Sequence, residues 1–180
     1  LNRINDIVGE LLLLAKPQQL KYTKADLQKV LSNVISLLKT EASLHNIEVV
    51  FDYNQPLWIE CEPNQLKQLF INIIKNAIEA SESGGIVAIS LKPLGMDQVS
   101  IIVKDIGCGI SEERLKKIGE SFYSSKEKGT GLGLTVSFKI VESHNGTIHF
   151  CSTQGKGTAV TIVLPVKNVN THAMEPGKLA

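Results

Sequence analysis

Along this 180-residue chain the spacing of hydrophobic positions changes period several times, and each change predicts an element. Ile4, Ile7, Leu11 and Leu14, widened by Val8 and Leu12, predict a helix over 1–15 that ends near Ala15 because Pro17 follows. Its two-turn a/d seam cannot stand alone in water, so it needs a partner helix, and bundle pairing is favoured over docking on its own domain. Thr23 is the expected N-cap of a helix over 24–43 with Leu27, Val30, Leu31, Val34, Leu37 and Leu38 on its apolar face. Ile47–Phe51 and Leu57–Glu60 read as short strands around the turn Asn54-Gln55-Pro56. Pro63 suits the first turn of a helix running to about Ser81, with Leu66, Phe70, Ile73 and Ala77 as its stripe and Gly84-Gly85 as its break. Ile86–Leu91 and Val99–Val103 predict a hairpin turning near Gly95. A short helix is expected from Ser111 to about Ile118, then a polar stretch, Gly119–Lys128. Another helix carries Val136, Ile140 and Val141 and ends around His144-Asn145-Gly146. Thr147–Cys151 and Ala159–Leu164 predict a last hairpin around Gln154–Gly157. Residues 167–180 are polar and aperiodic, which reads as a disordered tail, with a vector origin one reading of Lys178-Leu179-Ala180. The sum is an α+β fold, a two-layer sandwich with helices on one face of a mixed sheet, preceded by a short coiled-coil-like helix.

Composition narrows this little. With 43% hydrophobic and 21% charged residues the chain is ordinary globular, and it is long enough for a substantial core. A net charge of +1 without a Lys/Arg-rich run gives no nucleic-acid footprint. Cys61, Cys108 and Cys151 are widely spaced, with no CxxC, which argues against a disulfide framework or zinc site. No apolar run reaches the ~18 residues that would span a bilayer. The chain begins without Met and inside an apparent helix, so it is expected to be a fragment.

Three stretches carry candidate chemistry. The run Val99–Val103 ends on Asp105-Ile106-Gly107-Cys108-Gly109, which places a carboxylate at a strand end beside glycines that allow close backbone approach to a flat ligand. That carboxylate can accept from an exocyclic amine such as adenine N6, although Asp-x-Gly also marks ordinary turns. On the helix after Pro63, Asn72, Asn76 and Glu79 share one face. An amide can give its carbonyl oxygen to Mg²⁺ while nucleotide phosphates supply the charge; the plain alternative is a solvated polar face. Gly129-Thr130-Gly131-Leu132-Gly133-Leu134 opens a helix and reads as a phosphate cradle or, more simply, a tight turn. It is neither a Walker A loop nor a dinucleotide fingerprint. Lys126 lies just before it and is within reach of a phosphate.

In this order the stretches resemble the ATP-binding domain of sensor histidine kinases, in the superfamily shared with gyrase, Hsp90 and MutL. Asn72–Ala80 looks like the N box, Asp105–Gly109 like G1, and Phe122-Tyr123-Ser124-Ser125-Lys126 like the F box. Gly129–Leu134 looks like G2, and Gly155-Lys156-Gly157-Thr158 like the last glycine box. The resemblance implies the Bergerat ATP-binding fold over 18–166, with ATP and Mg²⁺ as ligands. By the same resemblance Asp105 accepts from adenine N6, Gly109 backs the ring, and Asn76 binds Mg²⁺ while Asn72 lines the phosphates. Lys126, Gly129, Gly131 and Gly133 then hold phosphates, residues 111–130 form the ATP lid, and Thr158 supports Asp105. Gly107, Ile110, Phe122, Thr130, Leu132, Leu134 and Lys75 complete the nucleotide-binding set, although no contact is assigned to Lys75. Asn72, Asn76 and Lys126 are the residues implied in catalysis.

Residues 1–17 resemble the end of the second helix of the dimerisation and phosphoacceptor domain. His45, His144, His149 and His172 all lack the phosphoacceptor context, so the acceptor is expected upstream and this chain alone should bind ATP without autophosphorylating. The function implied is transfer of the ATP γ-phosphoryl group to that histidine, for relay to a response regulator aspartate. Two other readings are an ATP-hydrolysing clamp like gyrase or Hsp90 and an ATP-dependent partner-docking module. Hydrolysis is disfavoured because those enzymes carry a glutamate where Asn72 stands, and an amide is a poor base. The short lid and the Leu-Leu-Leu-Ala-Lys-Pro ending look like sporulation-type kinases of Gram-positive spore formers. That resemblance implies a homodimer through the N-terminal helices, a response regulator as partner and an inhibitor protein on the helical stalk. It also implies a cytoplasmic location in a membrane-associated kinase, with no nucleic-acid or membrane contact by this piece.

Overall fold

The computed structural model describes residues 21–119 and 131–167. The expected N-terminal helix, most of the lid with Phe122, Lys126, Gly129 and Thr130, and the tail from 168 onward lie outside them. The described elements run β1 (Thr23–Asp26), α1 (Leu27–Leu44), β2 (Glu48–Phe51), β3 (Trp58–Cys61), α2 (Pro63–Ala80), β4 (Ile86–Leu94) and β5 (Gln98–Asp105). They continue with the single turn α3 (Glu112–Leu115), then α4 (Gly133–Ser143), β6 (Thr147–Thr153) and β7 (Gly157–Pro165).

Five strands form one mixed sheet in the order β2-β4-β5-β7-β6, antiparallel except for the parallel pair β2–β4. A parallel pair needs a long crossover, and the stretch containing β3 and α2 supplies it. Strict alternation assigns the two faces. Val87, Ile89 and Leu91 on β4, Val99, Ile101 and Val103 on β5, and Val160, Ile162 and Leu164 on β7 are all buried. Leu66, Leu69, Phe70, Ile73, Ile74 and Ile78 of α2 are buried against the same core, as are Val136, Ile140 and Val141 of α4. The opposite sheet face carries Lys104, His149 and Cys151, all exposed.

One expected helix start is corrected. Residues 23–26 are a strand paired with β3 in a separate two-stranded ribbon, and Asp26, not Thr23, caps α1. Asp26 Oδ1 accepts from Gln28 N at 3.2 Å and from Leu57 N at 3.0 Å, so the cap is set by a partner 31 residues away. Asp is at least as good an N-cap as Thr, and the start of α1 moves to Asp26 because residues 23–26 are taken up in pairing with β3. The two strands around Asn54-Gln55-Pro56 likewise part company, β2 joining the large sheet and β3 the ribbon.

The alternation also fixes the geometry of one sheet end. Asp105 continues the inward phase of Val99, Ile101 and Val103, and Thr158 continues that of Val160, Ile162 and Leu164. Both polar residues are therefore buried on the helix-side face, at neighbouring ends of adjacent strands.

Candidate functional site

At that sheet end Asp105 is 4% exposed. Its Oδ1 accepts from Gly107 N at 2.9 Å and from Thr158 N at 3.2 Å. Its Oδ2 accepts from no described residue, which leaves one lone-pair-bearing oxygen for a donor outside the protein. Burial pushes the carboxyl pKa above its usual value, and the two N–H bonds oppose that rise.

Glycines let the loop after Asp105 close on the rest of the fold. A Cβ on Gly107 would overlap the Ala80 carbonyl oxygen at the end of α2, one on Gly109 the Thr153 carbonyl, and one on Gly157 the Asp105 carbonyl. Close approach at these positions is chain against chain, a different reason from the ligand approach inferred from the sequence. Cys108 N donates to Ala80 O at 3.0 Å and Gly155 N to Cys108 O at 2.7 Å. Ser152 Oγ accepts from Ile110 N at 2.8 Å and lies 2.9 Å from both Gly157 O and Thr158 Oγ1. Thr158 thus supports Asp105 through its backbone N–H, and its hydroxyl serves Ser152. Sequence reasoning missed Ser152, although a polar residue on the inward phase of β6 was a readable signal.

The second wall is the polar face of α2. Pro63 and the N-cap Glu62, whose carboxylate accepts from Asn64 N and Gln65 N, start the helix. Two turns on, Asn72 Oδ1 accepts from Gln68 Nε2 at 3.0 Å, and Asn72 Nδ2 donates to Gly133 O at 2.9 Å. Asn76 and Glu79 follow on that face, both half-buried and both engaged with described neighbours. Lys75 is turned to other partners, its Nζ lying 3.3 Å from Glu41 on α1 and 3.9 Å from Glu79.

The start of α4 faces Asn72. Gly131 has φ +70°, and the N-cap Leu132 gives no side-chain cap bond. Such a helix end attracts anions. Leu132 is buried and Leu134 packs on the core, so neither offers its side chain to a ligand. A Cβ on Gly133 would meet Asn72 Cγ at an ordinary 3.6 Å.

The structure therefore brings Asn72, Gly131 and Gly133 together at one end and Asp105, Gly107, Gly109, Ile110 and Thr158 at the other, with the C-terminal half of α2 between them. The geometry offers a buried acceptor for an amine at one end and the N-terminus of α4 at the other. No group of three His, Cys, Asp or Glu side chains among the described residues is placed to hold a metal. A divalent cation next to Asn76 would draw its remaining oxygens from a phosphate-bearing ligand and water, which suits an uncharged amide.

Comparison with known proteins gives one consistent result. The family described as histidine kinase-, DNA gyrase B-, and HSP90-like ATPase matches residues 61–168. Sporulation kinase E of Bacillus subtilis is 48% identical over 168 residues, covering 93% of this chain and 23% of that protein. The chain thus spans about a quarter of that relative's length. The catalytic domain of histidine kinase ThkA superposes with a TM-score of 0.74 at 30% identity, covering 82% of this chain and 97% of the other. ThkA in complex with the response regulator protein TrrA gives 0.77 at 29% identity, covering 92% and 48%.

Proposed function

This chain belongs to the family of histidine kinase-, DNA gyrase B-, and HSP90-like ATPases, and from that membership we propose that it is the ATP-binding catalytic domain of a two-component sensor histidine kinase. The observation that carries this reading is Asp105, buried at the sheet end with Oδ1 satisfied by two backbone donors and Oδ2 left to receive adenine N6. Gly107, Gly109, Ile110 and Thr158 shape the base pocket, and Asn72, Gly131, Leu132, Gly133 and Leu134 bound the phosphates. Lys126, Phe122, Gly129 and Thr130 complete the set from the lid.

Mg²⁺, held by Asn76 and the phosphates, would supply charge neutralisation. The chain's own residues bind and orient the nucleotide so that a histidine nitrogen attacks the γ-phosphorus and the bond to ADP breaks. No described histidine suits the acceptor role. His144 is buried with both ring nitrogens in hydrogen-bond contacts, His45 ends α1, and His149 lies on the sheet face away from the helices. The acceptor belongs to a part of the protein N-terminal to this domain, where residues 1–17 end a dimerisation helix. A response regulator aspartate receives the phosphoryl group next, and the relatives' names support a sporulation-type kinase. Hydrolysis would need a base where Asn72 stands, and its amide is already bonded to Gln68 and Gly133.

The test is calorimetry of ATP with and without Mg²⁺ on this chain and on Asp105→Asn. A second assay follows transfer of ³²P from ATP to a separately supplied acceptor helix. Binding lost in the variant, with label appearing only on the acceptor, supports the reading. Equal binding by the variant, or no binding by the parent, overturns it.

A further inference from the structure

Helix α4 is pinned to α2 at both of its ends. At its head the Gly133 carbonyl accepts from Asn72 Nδ2 at 2.9 Å and from the buried Ser137 hydroxyl at 2.8 Å. At its tail the residue that ends it, His144, is 1% exposed. Its Nε2 lies 3.1 Å from Glu62 N, and its Nδ1 lies 2.8 Å from Ile140 O. A backbone N–H can only donate and a carbonyl can only accept, so one tautomer satisfies both: Nδ1–H donates to Ile140 and bare Nε2 accepts from Glu62. Beside it Ser143 Oγ lies 3.4 Å from Gln65 Oε1.

The anchoring points on α2 and its cap are Glu62, Gln65 and Asn72, whose spacing puts them on one face. From 62 to 72 is about 15 Å of helix, and from 133 to 144 about 17 Å, at roughly 1.5 Å per residue. The two helices are therefore antiparallel rods tied at nearly matched spacing, and the tail tie sets how far the head can slide. Tyr22 closes the tail from outside. Its hydroxyl donates to the Ser143 carbonyl, and its ring meets His144 edge-on at 5.4 Å and 81°. The chain enters the domain at the tail of the same helix whose head faces Asn72.

We propose that His144 and Tyr22 are positioning residues for the phosphate half of the bound nucleotide, acting through the axial seat of α4 on α2. The proposal rests on the ATP-binding reading above. Neither residue touches the ligand. The base half, in contrast, is held by β5, β7, the β6–β7 turn and the end of α2, through bonds that involve no residue of α4. Linkage adds that nucleotide binding must alter the seat of Tyr22 by the same factor as that seat alters nucleotide affinity.

The test titrates the full chain, its Tyr22→Phe variant and its His144→Gln variant with ADP and, by NMR, with adenosine, which has no phosphate. Thermal unfolding is followed in parallel. Tyr22→Phe keeps the ring and removes one hydrogen bond, so the Kd for ADP should rise about three- to tenfold. The Kd for adenosine should stay within about twofold, and His144→Gln should show the same split more strongly. Equal losses for ADP and adenosine, or a lower melting temperature with both affinities unchanged, would assign the two residues a structural role only and overturn the inference. If His144→Gln does not fold, Tyr22→Phe decides alone. A parent chain that binds neither ligand overturns the ATP-binding reading and this inference with it, an outcome visible before any variant is made.

Discussion

The two ends of the site are built by different means. The base end is made of backbone, with three glycines admitting carbonyls where a Cβ would collide and strand alternation burying Asp105 and Thr158 together. The phosphate end is made of side chains, an amide and an imidazole holding one helix against another. A backbone-built pocket cannot change without disturbing the sheet. A helix hung on side-chain hydrogen bonds can be re-seated at a cost of one bond, about 1 kcal/mol. This contrast makes the base end a fixed reader of the ligand and the phosphate end the part open to adjustment.

The contrast breaks most directly at paired glycine substitutions. Gly107→Ala should destabilise the domain by about 3 kcal/mol or more, because its Cβ meets backbone that belongs to α2 and cannot rotate away. Gly133→Ala should leave stability within about 1 kcal/mol of the parent, since its Cβ makes an ordinary contact and Ala favours helix. Urea unfolding of the two variants measures both. Similar losses at the two positions would remove the distinction between a backbone-built and a side-chain-built end.

Asp105→Asn comes next and sharpens the base end. Asn can keep an acceptor for Gly107 and Thr158 but places an amide where adenine N6 must donate. ATP affinity should fall about 10- to 100-fold, the range for a hydrogen bond to a charged group, with little loss of stability. Calorimetry and a melting curve on one sample separate the two effects.

Acid should act on the two ends with opposite sign. Burial lowers the His144 pKa below 6.5, opposed by the Ile140 bond and the nearby Glu62 charge. The facing groups are Tyr22, Glu62 and Ser143, with Cys61 beside them, its thiol pushed up to about 12 by burial and by Glu62. A depressed folded pKa means stability present above pH 6.5 and lost as pH falls toward the folded value, with a slope of at most about 1.4 kcal/mol per pH unit. Asp105 has a raised pKa, so its contribution is present at low pH and lost as pH rises through its folded value. Urea unfolding from pH 7 to pH 5 should therefore show a falling stability that flattens in His144→Gln.

How much of this was legible in the sequence follows the same division. Apart from β1, the element order and the two-layer α+β fold are period-two and period-3.6 patterns, which local residues write down. Membership of the family was legible too, because the glycine and asparagine motifs are short and contiguous. Residues that act across the fold were not. Asp26 takes the cap expected of Thr23 because residues 23–26 pair with β3, a distant stretch of chain. Gln65 meets Ser143 Oγ only once α4 lies beside α2. His144 left one trace: it stands four residues after Ile140 on the apolar stripe, where a polar residue must find partners or remain costly. The reason for the glycines was also hidden, since Ala80, Thr153 and Asp105 come against them only in the folded chain.

The smallest effect is expected at Lys75, which belongs to neither end. Its position in the asparagine motif had placed it in the nucleotide-binding set, yet its ammonium lies between Glu41 and Glu79, with 46% of the side chain exposed. An ion pair that open to water contributes about 0.5 kcal/mol and weakens with salt. Two carboxylates also neutralise most of the charge that a phosphate would otherwise feel. Lys75→Met should therefore shift the unfolding midpoint slightly, by an amount that disappears in high salt, and change ATP affinity by less than about twofold. A tenfold loss of affinity for ATP, absent for adenosine, would move Lys75 onto the phosphates. The phosphate end would then include a cation that leaves α1 on ligand binding, and the adjustable half of the site would extend across all three long helices.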